Sequence, residues 1–567
     1  MIDSKMPACT CSTTPEQNNF FNFMDRWSQA QLAKMTAGIS PAAVRTAYFS
    51  WASQLMQSPG RCMELTLAAS IYPIKRSVVC DDVRFHSANW QKMPWRMFAE
   101  NFMSVEAWWR LATVNVPGLA AHTEALISFV VRQGLDAWSP ANFILTNPDL
   151  FYETYRAGGK NILHGTEVAI KDSMARITGT PPENMADFTP GKQVAITPGR
   201  VVFQNHLIEL IQYDAQTATV YTEPLLILPA WIMKYYILDL SPNNSMVDWL
   251  VKQGYTVFMV SWRNPTRADR DLGMDDYYRL GAMSAIDIVS KQRPKVRIHL
   301  MGYCLGGTLA LITAAAMAKN KDTRLKSLTL LAAQGDFTEA GELMLFINKS
   351  ELSFLENMMW DQGYLDTKQM AGSFQMLRSY DLIWSKIIRD YMHKDSSKLI
   401  DLLAWNADAT RMPYKMHSEY LEKFFLHNDF AAGRLLVEGE VVVAENIRVP
   451  SFVVSTEKDH VAPWRSVYKT HLMIRSPLTF ILTSGGHNTG IISEPGHPGH
   501  TYRYHESARS SVYTGPDQWY VAAEQRSGSW WLAWNAWLAD RSSAVQIHAP
   551  AVDKTLPEAP GKYVLQK

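Results

Sequence analysis

The stretch Leu300-Met301-Gly302-Tyr303-Cys304-Leu305-Gly306-Gly307-Thr308 closes an apolar run at 296–301 (VRIHLM) and opens an alanine-rich helical pattern at 307–319. It has the form G-x-C-x-G-G, a nucleophile elbow with cysteine in place of serine. A sharp strand-to-helix turn strains the central residue, so its neighbours must lack bulk. Gly302 and Gly306 meet that need. The thiol of Cys304 then stands above a sheet at the positive end of a helix, where a thiolate is stabilised. The backbone N–H of Leu305 points at the oxyanion that forms on attack.

Outward from the elbow, strand and helix patterns alternate. Residues 201–203 and 219–221 read as strands, and 224–229 (PLLILP) as a short strand buried on both faces. A helix at 245–253, a strand at 255–260 (YTVFMV) and a helix at 277–291 lead into the elbow, and 325–332 (LKSLTLLA) follows it. This alternation predicts a parallel sheet of βαβ units. It stops near Gly335, and the next hundred or so residues are helical and aromatic, with Trp360, Tyr380, Trp384, Tyr391 and Trp405. Strand texture resumes at 449–455 (VPSFVVS) and 478–483 (LTFILT). A helical insert between strands of one sheet is the usual form of a lid, which places a cap at about 337–446.

An elbow needs an acid and a histidine later in the chain, each in a loop after a strand. Asp459, in Thr456-Glu457-Lys458-Asp459-His460, follows the first of the two later strands. His487, in Ser484-Gly485-Gly486-His487-Asn488, follows the second. His487 would take the thiol proton, and Asp459 would hold its tautomer and stabilise its cation. Glu457 and His460 are rivals for the two roles, but adjacent loop side chains such as Asp459 and His460 tend to diverge. His497, His500 and His505 lie in a Gly/Pro-rich polar stretch and read as surface loop. H-x-x-H without nearby cysteines or carboxylates is a weak metal signal, so no metal or other cofactor is expected. The fold class is α/β, of the α/β-hydrolase type.

The predicted organisation is a flexible tail at 1–20, a mainly helical N-terminal domain at 21–199, a catalytic domain at 200–543 and an extended tail at 544–567. Within the N-terminal domain, Ser40-Pro41 looks like an N-cap with proline at the first helical position. Gly179, Pro181, Pro182, Pro190, Gly191, Pro198 and Gly199 punctuate its end.

The chain of 567 residues is 47% apolar and 19% charged, enough for a large core. A net charge of +1 argues against nucleic-acid binding. The five cysteines (Cys9, Cys11, Cys62, Cys80 and Cys304) do not read as a disulfide framework. Residues 1–20 carry no signal-peptide pattern and no apolar run is long enough to span a bilayer, so a reducing cytoplasmic setting is expected.

With those residues in place, the sequence resembles the polyhydroxyalkanoate synthases, the class I or poly(3-hydroxybutyrate) polymerase type in particular. The likeness runs from about Ser28 to Trp537. It includes Pro229-Ala230-Trp231-Ile232-Met233-Lys234, Ser261-Trp262-Arg263-Asn264-Pro265, Trp405-Asn406-Ala407-Asp408-Ala409-Thr410, Asp459-His460-Val461-Ala462-Pro463-Trp464 and Gly528-Ser529-Trp530-Trp531. Residues 28–70 are similar to a short helical module that precedes the main domain in some of these enzymes. The resemblance implies a Cys304–Asp459–His487 triad, a helical cap, a homodimer, attachment to polyester granules and (R)-3-hydroxyacyl-CoA as substrate. It also implies a second oxyanion N–H from the loop holding Trp231 and Ile232. Familiar members read P-P-C-I-N-K where this chain has P-A-W-I-M-K, which bears on pocket shape near Trp231 and Met233.

A thiol suits such a reaction. Transfer from one thioester to another is nearly isoenergetic and keeps the acyl group activated for attack by a hydroxyl. The aromatic cap would exclude water from the acyl-enzyme. The same triad also permits a thiol-dependent thioesterase or polyester depolymerase, and the fold alone permits a non-catalytic granule protein. Trp90, Trp95, Trp108 and Trp109 are candidates for contact with an apolar polyester, with ordinary packing as the competing account.

Overall fold

The computed structural model describes residues 15–36, 40–71, 82–178, 185–367, 369–370, 383–393, 400–508, 511–550 and 552–567. Cys9, Cys11, Cys80, Gly179, Pro181, Pro182, Tyr380 and most of the expected tail lie outside them. Its last residues begin a helix, Pro15–Met35.

Ten strands form the main sheet: β1 (Gly199–Gln204), β2 (Ile208–Tyr213), β3 (Leu225–Leu228), β4 (Val257–Trp262), β5 (Ile298–Tyr303), β6 (Leu325–Leu331), β7 (Ser451–Thr456), β8 (Leu478–Thr483), β9 (Thr501–Ser507) and β10 (Glu524–Ser527). They pair in the order β1-β2-β4-β3-β5-β6-β7-β8-β9-β10. The six from β4 to β8 are parallel, and the outer pairs are antiparallel.

The central strands read as near-continuous apolar runs because both faces are covered. Period-two alternation sorts their residues. Leu226, Leu228, Phe258 and Val260 face the core under helix Leu305–Lys319, while Leu225, Ile227, Val257 and Met259 face the core under helix Trp530–Arg541. Trp530, Trp531, Trp534 and Trp537 of that second helix are all buried. Cys304 touches both cores. The chain moves from β3 to one side as β4 and to the other as β5, so the strand order reverses there. A crevice at the carboxyl ends of strands opens at such a reversal. This is an α/β-hydrolase fold with a helical N-terminal region.

Strands β6 and β7 are hydrogen-bonded neighbours, yet residues 332–450 intervene. That insert is built from short pieces, including the 3-10 turn Glu342–Phe346, helices Lys349–Met359, Asp401–Ala407 and Tyr414–Tyr420, and the π-turn Leu421–Leu426. N-terminal helices brace it. Phe129 packs edge-on against Phe346 at 5.1 Å, and Arg132 pairs with Glu342 at 2.6 Å. Ser40 precedes helix Pro41–Met56 as expected, but its side chain makes no cap bond. Its backbone N–H goes instead to both oxygens of Glu351 at 3.0 and 2.7 Å.

Three strands of the main sheet escape the sequence reading. The β2 segment (IELIQY) has no clear period, because all six residues are buried. β9 and β10 are half-exposed and polar, and β9 carries His505 out of the loop expected for it. The 219–221 strand pairs with Gln546–His548 in a separate two-stranded sheet. Residues beyond 550 are docked as well as extended. Glu209 accepts the N–H groups of Lys562 and Tyr563, each at 2.9 Å, and Lys234 Nζ donates to the Gln566 carbonyl at 2.7 Å.

Candidate active site

Cys304 joins β5 to helix Leu305–Lys319 at φ +53° and ψ −123°, a strained conformation for a residue with a Cβ. Its N–H donates to the Leu331 carbonyl of β6 at 2.9 Å, which fixes it to the neighbouring strand. The glycines around it answer to close approach. A Cβ on Gly306 would sit 2.1 Å from the Leu228 carbonyl oxygen, and one on Gly302 would sit 2.4 Å from the Gly306 carbonyl oxygen. A Cβ on Gly307, the last glycine of the motif, would clash with the Ala333 side chain at 2.3 Å.

Asp459 follows β7 and His487 follows β8. Asp459 Oδ2 is 2.7 Å from His487 Nδ1. The carboxylate is held from every side: Oδ1 accepts the N–H groups of Val461 and Ala462, each at 2.8 Å, and Thr456 Oγ1 donates to Oδ2 at 3.2 Å. The Asp459 side chain is 0% exposed and that of His487 is 11% exposed. The ring lines the same cavity as Cys304. Burial alone would push the His487 ring down, but the charges of Asp459 and Cys304 outweigh it and hold the ring well above its ordinary value. Burial likewise works to raise Asp459, and the His487 charge with the hydrogen bonds to the carboxylate holds it lower.

The rivals stand elsewhere. Glu457 is exposed and accepts the Tyr520 hydroxyl at 3.3 Å. His460 lines the wider of the two cavities described below, while the bond to Asp459 is made by His487. His497 and His500 face one another at 4.5 Å, and among the described residues no three His, Cys, Asp or Glu side chains converge as a metal site.

Two cavities meet at Cys304. One, of about 150 Å³, runs under the cap and is mostly apolar, with Leu343, Ile347, Leu421 and Phe425 in its wall. The other, of about 370 Å³, is lined by His487, Asn488, Tyr303, Met233 and Trp405. Ile232 and Cys304 border both. Trp231 instead turns into the core, its ring 5.1 Å from that of Tyr277. The loop carrying these two residues is tied to the cap, where Thr410 Oγ1 donates to the Trp231 carbonyl at 2.6 Å and Thr410 N–H to the Ile232 carbonyl at 3.0 Å.

Sequence reasoning missed two supporting residues. Tyr303 donates its hydroxyl to Asn488 Oδ1 at 2.6 Å, which pins the loop carrying His487 to the elbow. Their positions beside Cys304 and His487 were the available signal.

Three family models match the chain. Residues 19–61 match the poly-beta-hydroxybutyrate polymerase N-terminal family, 81–250 match the poly-beta-hydroxybutyrate polymerase (PhaC) N-terminus, and 223–491 match the alpha/beta hydrolase fold. The chain is 36% identical to the poly(3-hydroxyalkanoate) polymerase of Methylorubrum extorquens over 527 residues, which covers 91% of this chain and 84% of that one. It is 32% identical to the poly(3-hydroxyalkanoate) polymerase subunit PhaC of Cupriavidus necator over 498 residues, 86% of this chain and 83% of that one.

Proposed function

Because this chain belongs to the poly(3-hydroxyalkanoate) polymerase family of acyltransferases, we propose that it polymerises (R)-3-hydroxyacyl-CoA through a thioester on Cys304. The observation that carries the reading is the Asp459–His487 pair at 2.7 Å, placed with Cys304 where two cavities meet. His487 takes the Cys304 proton, and the sulfur attacks the thioester carbonyl of acyl-CoA. The oxyanion is held by the backbone N–H of Leu305 with that of Ile232 or Trp231. The carbon–sulfur bond to CoA then breaks, and His487 returns the proton to the leaving thiolate. For elongation, His487 takes a proton from the hydroxyl of a second unit, which attacks the acyl-Cys304 thioester. An ester forms and the Cys304 thiol is regenerated.

Granule attachment fits the first three helices better than the tryptophans expected for it. Trp90 and Trp95 are buried, whereas Phe21, Trp27, Phe49, Met56, Met63 and Leu67 are exposed. No helix among the described residues is long and apolar enough to cross a membrane. A homodimer is part of the proposal and is checked by light scattering.

The deciding assay follows CoA release and polymer mass together from (R)-3-hydroxybutyryl-CoA. Polymer that accumulates with CoA, and fails to form in Cys304→Ala, supports the reading. Soluble hydroxy acid as the sole product would overturn it in favour of a hydrolase.

A further inference from the structure

The smaller cavity is apolar apart from a few groups, and two of those are unsatisfied. His417 Nδ1 and Gln334 Oε1 are buried with no hydrogen-bond partner among the described residues. His417 is 7% exposed and Gln334 5%, and both line the cavity that Cys304 borders. A third polar group there, the Glu351 carboxylate, is already engaged by the Ser40 N–H. Buried polar atoms left unpaired cost stability, and each one calls for an explanation.

We propose that His417 and Gln334 form a polar subsite that hydrogen-bonds the hydroxyl of the acyl chain bound at Cys304, and so select hydroxyacyl over plain acyl groups. The inference rests on the acyl-transfer reading above. A hydroxyl is both donor and acceptor, so its chemistry matches both orphans: Gln334 Oε1 takes a donor, and the ring N–H takes an acceptor. A methylene at the same place satisfies neither. Burial pushes His417 down to about 4, so its ring is neutral at pH 7 and keeps one N–H and one lone pair. The backbone of Gln334 is tied to the elbow helix, since its main-chain carbonyl accepts the Thr308 hydroxyl at 2.9 Å. One side of the subsite is therefore anchored beside the elbow, in the cavity that Cys304 lines.

The test compares single-turnover CoA release from (R)-3-hydroxybutyryl-CoA and from butyryl-CoA in the wild type, His417→Phe and Gln334→Met. The wild type favours the hydroxylated substrate. Each variant loses about tenfold of that preference, the worth of one hydrogen bond, through slower reaction of the hydroxylated substrate alone. Thermal unfolding is measured in parallel. Apolar replacement of an unpaired buried group leaves the melting temperature unchanged or raises it, whereas a structural role would lower it. A preference unchanged in both variants overturns the subsite while leaving acyl transfer standing. A wild type that releases no CoA from either substrate defeats the acyl-transfer reading and this inference together.

Discussion

Strand β5 and helix Leu305–Lys319 hold Cys304 between elements that are almost wholly buried, while the cap above it is made of short helices, turns and two-residue strands. The Cys304 side is fixed by backbone. Cys304 is tied to β6, its glycines admit no Cβ, and Asp459 is gripped by two N–H groups. The cap side is fixed by side chains, such as Phe346 against Phe129 and Glu351 against Ser40. Under the proposed function, chemistry that tolerates little displacement sits on the rigid element and adaptable selectivity on the roof.

The sharpest way to break this contrast is at Cys304. Cys304→Ala and Cys304→Gly should both lower CoA release by at least about 10³-fold. The glycine variant should also be more stable by about 1 kcal/mol, read by urea unfolding, because φ +53° no longer carries a Cβ. Equal stability of the two variants would show that the elbow stores no strain.

Asp459→Asn should cost about 10³–10⁴ in kcat by loss of the correct His487 tautomer. Glu457→Gln should leave steady-state kinetics unchanged. Equal losses from both would dissolve the assignment of the acid.

The same substitution in the two regions separates them energetically. Gly306→Ala forces a Cβ to 2.1 Å from a carbonyl oxygen and should cost roughly 3 kcal/mol or more. Gly439→Ala, in a cap hairpin with nothing within 4 Å, should cost only about 1 kcal/mol for its φ of +80°. Denaturant midpoints for the two variants measure the difference.

The smallest effect concerns Glu351. Burial raises its carboxyl to about 7 from an ordinary 4.5, against the Ser40 N–H, which lowers it. The native state thus binds this proton more tightly than the unfolded chain, and stability falls as pH rises from about 4.5 to about 7. Glu351→Gln should gain about 1 kcal/mol over the wild type at pH 8 and nothing below pH 4.5. A gain independent of pH would place the cause elsewhere.

Legibility in the sequence follows the same division. The elbow, Asp459 and His487 could be read because a backbone constraint leaves a local trace: glycines at fixed offsets and an acid and a base after successive strands. The central strands could be read because their burial on both faces makes continuous apolar runs. The cap could be placed by elimination but not resolved, since pieces such as Tyr364–Leu365 and Met412–Pro413 are too short to show a period. His417 and Gln334 lie in different segments and meet only in a cavity wall, so no spacing announces them. The resemblance names Trp231 and Ile232 together as oxyanion-loop residues, and only the fold sends the Trp231 ring into the core and leaves Ile232 at the cavity.

The pairing of β6 with β7 across the whole cap has a cost during synthesis. At roughly 5–20 residues per second, about 120 residues take some 6–24 s to leave the ribosome, and β6 waits that long for its neighbour. Through that interval an apolar strand offers an open edge to any other nascent chain. Expression yield should therefore hang on chaperone supply and on translation speed between residues 332 and 450, more than on the stability of the finished molecule.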